Sequence, residues 1–280
     1  MSTVSVCVPT YKRARSLEAT LRSLLGQTVS DFEILVGDNS PDDESARAVS
    51  ALGSGRIRHI RNETNVGMVE NWNRLVRASR GDYVLIIHDD DRALPGLVEA
   101  ERGALDGNPG AGFVHTAIEV VDEGGKVVER PRHYEGDHAF DAVATFKDLY
   151  LDNKVSCPTV MVRRECYDRT GLYDHSLPFA ADWDMWLRIA LAGYGSMFLS
   201  RPLLRNKVHA GSATSGFASA RLDKLEHLKM LHKTYHSHLP ALPVDRAEMG
   251  RLRRALRWKI AKVWTAEYYR SLRAFLFGRR

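Results

Sequence analysis

Three consecutive aspartates, Asp89 to Asp91, follow His88 directly after the apolar run Tyr83-Val-Leu-Ile-Ile. Adjacent carboxylates repel one another, so a folded chain holds them together cheaply only where solvent or a divalent cation offsets their charge. Carboxylate oxygens are hard ligands that suit Mg²⁺ or Mn²⁺, and such an ion can bridge a diphosphate. The cluster therefore predicts a metal site, and the alternative is an acidic turn that caps the next helix.

Strands and helices alternate up to this cluster. Apolar runs predict strands at 4–9, 32–38, 57–60 and 81–88, and helical spacing predicts helices at 16–25, 44–52 and 69–79. Strands that are apolar on both faces indicate a parallel sheet covered on both sides, so this half is expected to be Rossmann-like. Ligands of such sheets sit at the carboxyl ends of the strands, where three polar segments fall: 9–13, 38–40 and 88–91.

The pattern becomes mixed after residue 110. Strands are predicted at 112–121, 159–163 and 196–199, and helices at 181–192 and 217–237. Residues 246–277 carry apolar side chains at helical spacing between arginines and lysines, which predicts a basic amphipathic helix. Such a helix can lie on an anionic bilayer, or it can pack on its own domain or on a second subunit.

Composition excludes several classes of protein. The three cysteines form no CxxC pair, which indicates neither a disulfide framework nor a cysteine zinc site and fits a reducing cytoplasm. No charged leader precedes an apolar stretch, and no run approaches the roughly 20 apolar residues that span a bilayer. Residues 246–280 carry 11 basic and 2 acidic residues, whereas the remainder carries 29 basic and 33 acidic residues. We therefore do not expect a nucleic-acid-binding body.

Four segments, in this order, resemble the motifs of the family 2 glycosyltransferases. They are Val8-Pro-Thr-Tyr-Lys-Arg13, Gln27-Thr28 with 31–40, Gly81-Asp-Tyr83, and Ala181-Asp-Trp-Asp-Met-Trp-Leu-Arg188. The resemblance implies the α/β fold called GT-A, in which a Rossmann-like half is fused to a mixed-sheet half. We therefore expect a GT-A domain at 1–215, with a nucleotide-sugar-binding half at 1–110 and an acceptor and catalytic half at 111–215. A basic helical extension would follow at 216–280.

The resemblance also implies roles, position by position. It places these residues at the nucleotide: Pro9, Thr10, Tyr11, Arg13, Asp38 and Asp89. It places these residues at the metal or the diphosphate: Asp90, Asp91 and His209. Asp182 matches the catalytic base, and Trp183 and Trp186 are candidates for the acceptor cleft.

Each role has a plainer alternative. Tyr11 can simply pack in a loop, and Asp38 can be an ordinary turn residue. Asp182 can be a first-turn acid that the helix dipole favours, and the tryptophans can belong to the core. The sequence also departs from the family pattern, since His88, Gly37 and Ala181 stand where acidic residues are usual. His88 leaves the metal affinity open, because a neutral imidazole replaces a negative charge.

The expected reaction is a metal-dependent, inverting transfer of one sugar from a nucleotide sugar, with UDP favoured by the resemblance and GDP and dTDP left open. Asp182 would take the proton of the acceptor hydroxyl, and the metal would offset charge on the leaving diphosphate. The expected acceptor is a glycan or lipid-linked glycan of the cell surface, in the cytoplasm or at the inner face of the membrane. The alternatives are a sugar nucleotidyltransferase and a degenerate sugar-nucleotide-binding module. The sequence leaves homo-oligomer formation open.

Overall fold

The first half of the fold, up to β4, has the predicted alternation of strands and helices. The computed structural model describes residues 2–122, 124–207 and 222–277. The first elements are β1 (Val4–Thr10), α1 (Ala14–Leu25), β2 (Phe32–Asp38), α2 (Glu44–Ala51), β3 (Ile57–Arg61), α3 (Met68–Ala78) and β4 (Tyr83–Ile86). Each predicted strand and helix of this half is therefore confirmed to within a few residues.

The second half is less regular. Its strands are β5 (Arg92–Ala93), β6 (Ala111–Val121), β7 (Val127–Glu129), β8 (His138–Phe140), β9 (Val160–Arg163) and β10 (Gly195–Lys207). Its helices are α4 (Leu97–Gly107), α5 (Ala142–Leu149), α6 (Arg164–Thr170) and α7 (Ala181–Leu191), with a 3₁₀ turn at Cys157–Thr159. The chain then forms α8 (Leu222–Lys233), a π-helical turn (Thr234–His238), α9 (Leu239–Ala241) and α10 (Arg246–Phe277).

One mixed sheet runs through both halves, in the order β3-β2-β1-β4-β9-β6-β10-β5. The strands β3, β2, β1 and β4 are parallel to one another, and β9 joins antiparallel between β4 and β6. The strand predicted at 196–199 is much longer, because β10 pairs with β6 past irregularities around Pro202. Proline has no N–H to donate to a neighbouring strand, so it is tolerated here at a bulge. Because Pro202 interrupts the strand pattern of the sequence, the sequence did not predict the second part of β10.

The sheet is covered on both faces, as its apolar strands predict. Alternate residues of a strand enter opposite cores: Cys7 packs in one core, whereas Val6 and Val8 pack in the other. A fully buried side chain of this kind contributes about 1.5–3 kcal/mol to the free energy of unfolding. The sheet is thereby held rigidly between two helical layers, and its strand ends form a firm base for a site.

The C-terminal helix α10 packs on its own domain. Leu252 and Leu256 are buried in the same core as Trp186, and Ile260 and Val263 contact that core. Packing on the domain, one of the alternatives that the sequence leaves open, therefore holds for this part of the apolar stripe. Among the described residues, no helix combines the length and the apolar character that crossing a membrane requires.

Candidate active site

The carboxyl ends of β1, β2 and β4 bring the three polar segments together. Thr10 at the end of β1 pairs with Asp38 at the end of β2, and Cys7 pairs with Ile86 of β4 on the other side. The loop after β1 turns sharply at Lys12, whose φ of 54° lies in the left-handed region. The Lys12 amide donates to Ser40 Oγ at 2.8 Å, so the first two loops are tied to each other.

The acidic cluster is buried and tied to the loop after β1. Asp89 accepts a hydrogen bond of 2.7 Å from Thr10 Oγ1, and Arg13 Nη1 donates to both Asp89 at 3.2 Å and Asp90 at 2.7 Å. Asp91 has no exposed surface and accepts a hydrogen bond of 2.9 Å from the side-chain amide of Asn206. The sequence motif therefore places three carboxylates at one edge of the sheet, each held by a named partner.

His88 belongs to the same cluster. One ligand atom from each of His88, Asp90 and Asp91 lies within 4.8 Å of the others. Nε2 of His88 and Oδ2 of Asp91 are buried and have no hydrogen-bond partner among the described residues. Burial raises the pKa of Asp91 well above its usual value, and the nearby Asp90 raises it further. These two orphaned atoms lie beside a second carboxylate, that of Asp90, and the three groups fit a divalent cation, which would satisfy the atoms and offset the charge.

The sequence shows His88 only as a departure from the family pattern, whereas the structure places it among the candidate ligands. Burial lowers the pKa of His88, so the imidazole is neutral at pH 7 and has a lone pair to offer a metal. The sequence did contain a signal for this role, because histidine is a common metal ligand and His88 stands directly before the aspartates. His209 lies outside the described residues.

Asp38 lies at the edge of the site, and each of its carboxylate oxygens accepts a hydrogen bond from the protein. The Ser40 amide donates to its Oδ1 at 2.8 Å, and His59 Nε2 donates to its Oδ2 at 3.0 Å. Burial acts to raise the pKa of Asp38, but these hydrogen bonds outweigh it and hold the pKa below its usual value. With no exposed surface, the Asp38 side chain ties the loop after β2 to β3, and its expected contact with the base stays a prediction.

Gly37 is required by packing. A Cβ at this position would lie 2.5 Å from Oδ1 of Asn71 and 2.9 Å from the side chain of Leu75, so α3 approaches the strand too closely for any larger residue. Asn71 in turn donates to the Gly37 carbonyl at 2.7 Å and contacts Asn62 at 3.1 Å. Where the family usually has an acidic side chain, this chain therefore has a glycine that allows α3 to contact β2 closely.

Asp182 is in the first turn of α7 and faces a cavity of about 440 Å³. The same cavity is lined by His88, so Asp182 and the histidine of the acidic cluster open onto one space. Asp182 accepts hydrogen bonds from the Trp183 amide at 2.7 Å and from Asn153 Nδ2 at 3.1 Å. Burial raises the pKa of Asp182 to about 6, although these hydrogen bonds lower it. An acid with this pKa is mostly ionised at pH 7 and can accept a proton.

Helix α8 forms another wall of the cavity, which the sequence did not predict. Lys224 and His227 line it opposite the sheet, and the His227 ring contacts the Trp183 ring edge-on at 5.2 Å. Glu226, on the same helix, accepts hydrogen bonds from the amides of Phe179 at 2.6 Å and Ala180 at 3.1 Å. These contacts hold the segment that precedes Asp182 in place. They join residues that are far apart in the sequence, so no local sequence pattern predicts them.

The two tryptophans of α7 have different environments. Trp183 lines the cavity, and its indole N–H donates to the carbonyl of Leu149 at 2.7 Å. Trp186 has no exposed surface and packs against Phe113 with ring centroids 5.1 Å apart. The expected acceptor contact of Trp186 is therefore wrong, because a helix buried on both sides turns this residue into the core.

The loop after β1 presents the remaining nucleotide candidates. Pro9 and Thr10 end the strand and are mostly or fully buried, whereas Tyr11 is 43% exposed. The Lys12 ammonium lies 5.4 Å from the centre of the Tyr11 ring. An exposed aromatic ring and the Arg13 guanidinium beside the acidic cluster can receive a flat base and an anionic group, respectively.

Comparisons with known proteins identify relatives of this chain. The sequence profile described as "Glycosyl transferase family 2" matches residues 5–171. An uncharacterized protein of Mycobacterium tuberculosis is 30% identical over 238 residues, which cover 81% of this chain and 74% of that protein. The Escherichia coli protein WfgD is 24% identical over 188 residues, covering 66% of this chain and 69% of that protein. It is named a UDP-Glc:alpha-D-GlcNAc-diphosphoundecaprenol beta-1,3-glucosyltransferase.

Solved structures share the fold. TarS of S. aureus, crystallised as residues 1–349 with UDP-GlcNAc, superposes with a TM-score of 0.73 at 18% identity. The match covers 99% of this chain and 76% of that one. The mannosyltransferase PcManGT of Pyrobaculum calidifontis, solved with GDP-Man and Mn²⁺, superposes with a TM-score of 0.64 at 19% identity, covering 99% and 76%. The GT-A fold expected from the sequence is thereby confirmed.

Proposed function

Since the chain belongs to glycosyl transferase family 2 and is a glycosyltransferase, we propose that it moves one sugar from a nucleoside-diphosphate sugar to a hydroxyl group with inversion. The observation that carries the proposal is the shared cavity. Asp182 opens onto it from one side and His88 of the acidic cluster from another, so a base and a candidate site for a diphosphate face the same space. A direct displacement needs this arrangement, because the acceptor attacks the anomeric carbon opposite the leaving group.

Asp182 would act as the general base. Its carboxylate takes the proton of the acceptor hydroxyl, the oxygen forms a bond to the anomeric carbon, and the bond from that carbon to the diphosphate breaks. The electron pair of the broken bond leaves with the nucleoside diphosphate. One displacement of this kind inverts the anomeric configuration. Asn153 supports the step because its amide orients one oxygen of Asp182, and an oxygen that accepts a single hydrogen bond keeps a lone pair for the proton.

The nucleotide would lie over the loops that follow β1 and β2. Tyr11 offers an exposed ring for the base, and Arg13 offers a cation beside Asp89 and Asp90. Lys224 and His227 face the same cavity from α8 and can contact the phosphates. TarS binds UDP-GlcNAc and PcManGT binds GDP-Man. We favour a UDP-sugar as the donor, because the named E. coli relative uses UDP-glucose.

His88, Asp90 and Asp91 would hold the metal ion, and Asn206 would keep Asp91 in place. A bound Mg²⁺ or Mn²⁺ supplies positive charge that offsets the charge gathering on the diphosphate. Manganese is the better match for a site with an imidazole and two carboxylates, since nitrogen ligands suit transition metals more than magnesium. Arg13, which contacts Asp90 at 2.7 Å, is placed to turn toward the donor phosphates when a cation takes that carboxylate.

The acceptor would be a glycan or a lipid-linked glycan of the cell surface, as the name of the E. coli relative suggests. The exposed face of α10 supports a location at an anionic membrane. Trp258 and Trp264 are 65% and 62% exposed, and Lys262 lies 5.0 Å from the Trp258 ring. Aromatic rings beside cations favour the interface between lipid headgroups and water.

A panel of sugar nucleotides tests the proposed activity. Purified protein is incubated with UDP-, GDP- and dTDP-sugars, with Mn²⁺ or with EDTA, and free nucleoside diphosphate is measured. We expect Mn²⁺-dependent release from one base class, since slow transfer to water reports the donor even without the acceptor. Binding of nucleotide without release under any condition would favour a degenerate binding module. When pyrophosphate is added, formation of a nucleoside triphosphate and a sugar 1-phosphate would instead point to a nucleotidyltransferase.

A further inference from the structure

A second cavity, of about 220 Å³, lies beside the catalytic cavity. Two residues, Asn153 and Ser156, line both spaces, so the cavities are neighbours across one thin wall. The far side of the second cavity is formed by His115 to Ile118 of β6 and by Phe198 of β10. None of the roles assigned so far uses this space.

Asn153 connects the second cavity to the chemistry. Its Nδ2 donates to Oδ2 of Asp182 at 3.1 Å, and its Oδ1 accepts from the Val155 amide at 3.1 Å. The side chain is thus held at both ends, with the catalytic carboxylate on one side and the second cavity on the other. A ligand that fills this cavity and extends past Asn153 presents its edge to Asp182.

His115 is the main polar group of the second cavity. Its side chain is 97% buried, and no hydrogen bond to its ring is present in the part of the chain that the structure describes. Burial lowers the pKa of His115 to about 3, so the imidazole is neutral at pH 7. A neutral imidazole offers one donor and one acceptor, which is the pair that a hydroxyl group can satisfy.

The surroundings of His115 suit a sugar ring. Phe198 packs against His115 at 5.1 Å, and Tyr134 closes the aromatic group at 4.8 Å from Phe198 and 6.0 Å from His115. Aromatic faces receive the C–H face of a pyranose, whereas its hydroxyls need polar partners at the edge. Lys154 is the one lysine or arginine among the described lining residues, and its ammonium is already paired with Asp148. The cavity therefore favours a neutral ligand over a phosphate.

We propose that this second cavity is the acceptor subsite and holds one neutral pyranose ring, with His115 bound to a ring hydroxyl and the reacting hydroxyl directed past Asn153 to Asp182. The inference rests on the proposed function and adds the class of the acceptor group. The volume is below that of sites for drug-sized ligands, so it admits a single ring. The rest of a longer acceptor would extend outward, away from the wall at Asn153.

Saturation-transfer NMR with p-nitrophenyl hexopyranosides tests the subsite. The probes are the glucoside, the galactoside and the N-acetylglucosaminide, each added to protein with UDP and Mn²⁺. Wild-type protein should bind at least one of them. Ala117→Trp fills the cavity from β6 and should abolish this signal, whereas Val128→Trp adds the same bulk at an exposed position and should leave it unchanged.

His115→Phe provides the second variant, since it keeps the size of the ring and removes both nitrogens. This variant should raise the dissociation constant of the pyranoside about tenfold, as expected for the loss of one buried hydrogen bond. The rise in melting temperature caused by the nucleotide should be equal in all four proteins, which shows that they are folded. Full pyranoside binding by Ala117→Trp, or no pyranoside binding by a wild-type protein that binds nucleotide, would overturn the subsite. Absence of nucleotide binding in wild-type protein would instead count against the proposed function.

Discussion

The side-chain amide of Asn153 donates a hydrogen bond of 3.1 Å to Oδ2 of Asp182. Because the Trp183 amide holds Oδ1 at 2.7 Å, both oxygens of the carboxylate are oriented by the protein. Burial raises the pKa of Asp182 to about 6, and these two hydrogen bonds keep it from rising further. The balance places the pKa of the proposed base just below neutral pH, where it is both ionised and able to take a proton.

The balance at Asp182 predicts a pH profile. Transfer should fall below about pH 6, because the base is then protonated. In Asn153→Ala the lowering effect of one hydrogen bond is lost, so the acid limb of kcat/KM should move to higher pH. The measurement is kcat/KM from pH 5 to 9 for both proteins. An acid limb at the same pH in both would contradict the role of Asn153.

The same carboxylate should weaken the fold at neutral pH. Its folded pKa, about 6, lies above the usual value of 3.8, so ionisation of the buried group costs stability as pH rises through 3.8 to 6 and stays costly above. Asp182→Asn should therefore raise the free energy of unfolding by about 1–2 kcal/mol at pH 8, allowing for partial exposure to the cavity. At pH 4 the two proteins should be nearly equal, because both side chains are neutral. Urea denaturation at the two pH values measures the difference.

The acidic cluster predicts metal dependence that involves His88. EDTA should abolish nucleoside diphosphate release, and Mn²⁺ should restore it. His88→Ala and Asp91→Asn should each raise the Mn²⁺ concentration needed for half-maximal activity by tenfold or more, since a first ligand is lost. Asp168→Asn is the matched control, because Asp168 is exposed and far from the cluster in sequence. Equal Mn²⁺ dependence of His88→Ala and wild type would remove His88 from the site.

Asp184 should stabilise the attachment of the C-terminal helices. It has no exposed surface and contacts Arg188 at 2.8 Å, Lys233 at 2.7 Å and His238 at 3.3 Å. Burial acts to raise its pKa, but these groups hold the pKa well below 3.8, so the stabilisation exists above pH 3.8 and is lost as pH falls through the lower folded pKa. Asp184→Ala should cost about 3 kcal/mol at pH 7, measured by urea denaturation. A cost below 0.5 kcal/mol, roughly that of an exposed ion pair, would show that the network is dispensable.

Much of the first half of the fold, up to β4, was predictable because its information is local. The apolar runs of β1, β2 and β4 and the adjacent aspartates can be recognised within a few residues of sequence. The walls of the cavity were not predictable in this way. Asn153, His227 and His115 come from three separate segments, and only the sheet order and the packing of α8 bring them near Asp182.

One error shows what the sequence does not reveal. Trp186 was a candidate for the acceptor cleft. In the fold, it turns into the core and packs against Phe113. A sequence shows which groups can bind a ligand, but it does not show which neighbours already enclose them.

The most direct test of the account compares transfer and nucleotide binding in Asp182→Asn with those in wild type. Asparagine keeps the size of the side chain and cannot take a proton, so we expect nucleoside diphosphate release to fall by at least about 10²-fold, the usual contribution of a general base. The Mn²⁺-dependent rise in melting temperature with UDP should remain within error of wild type, measured from each protein's own baseline. Release at the wild-type rate by Asp182→Asn would contradict Asp182 as the base and with it the proposed mechanism.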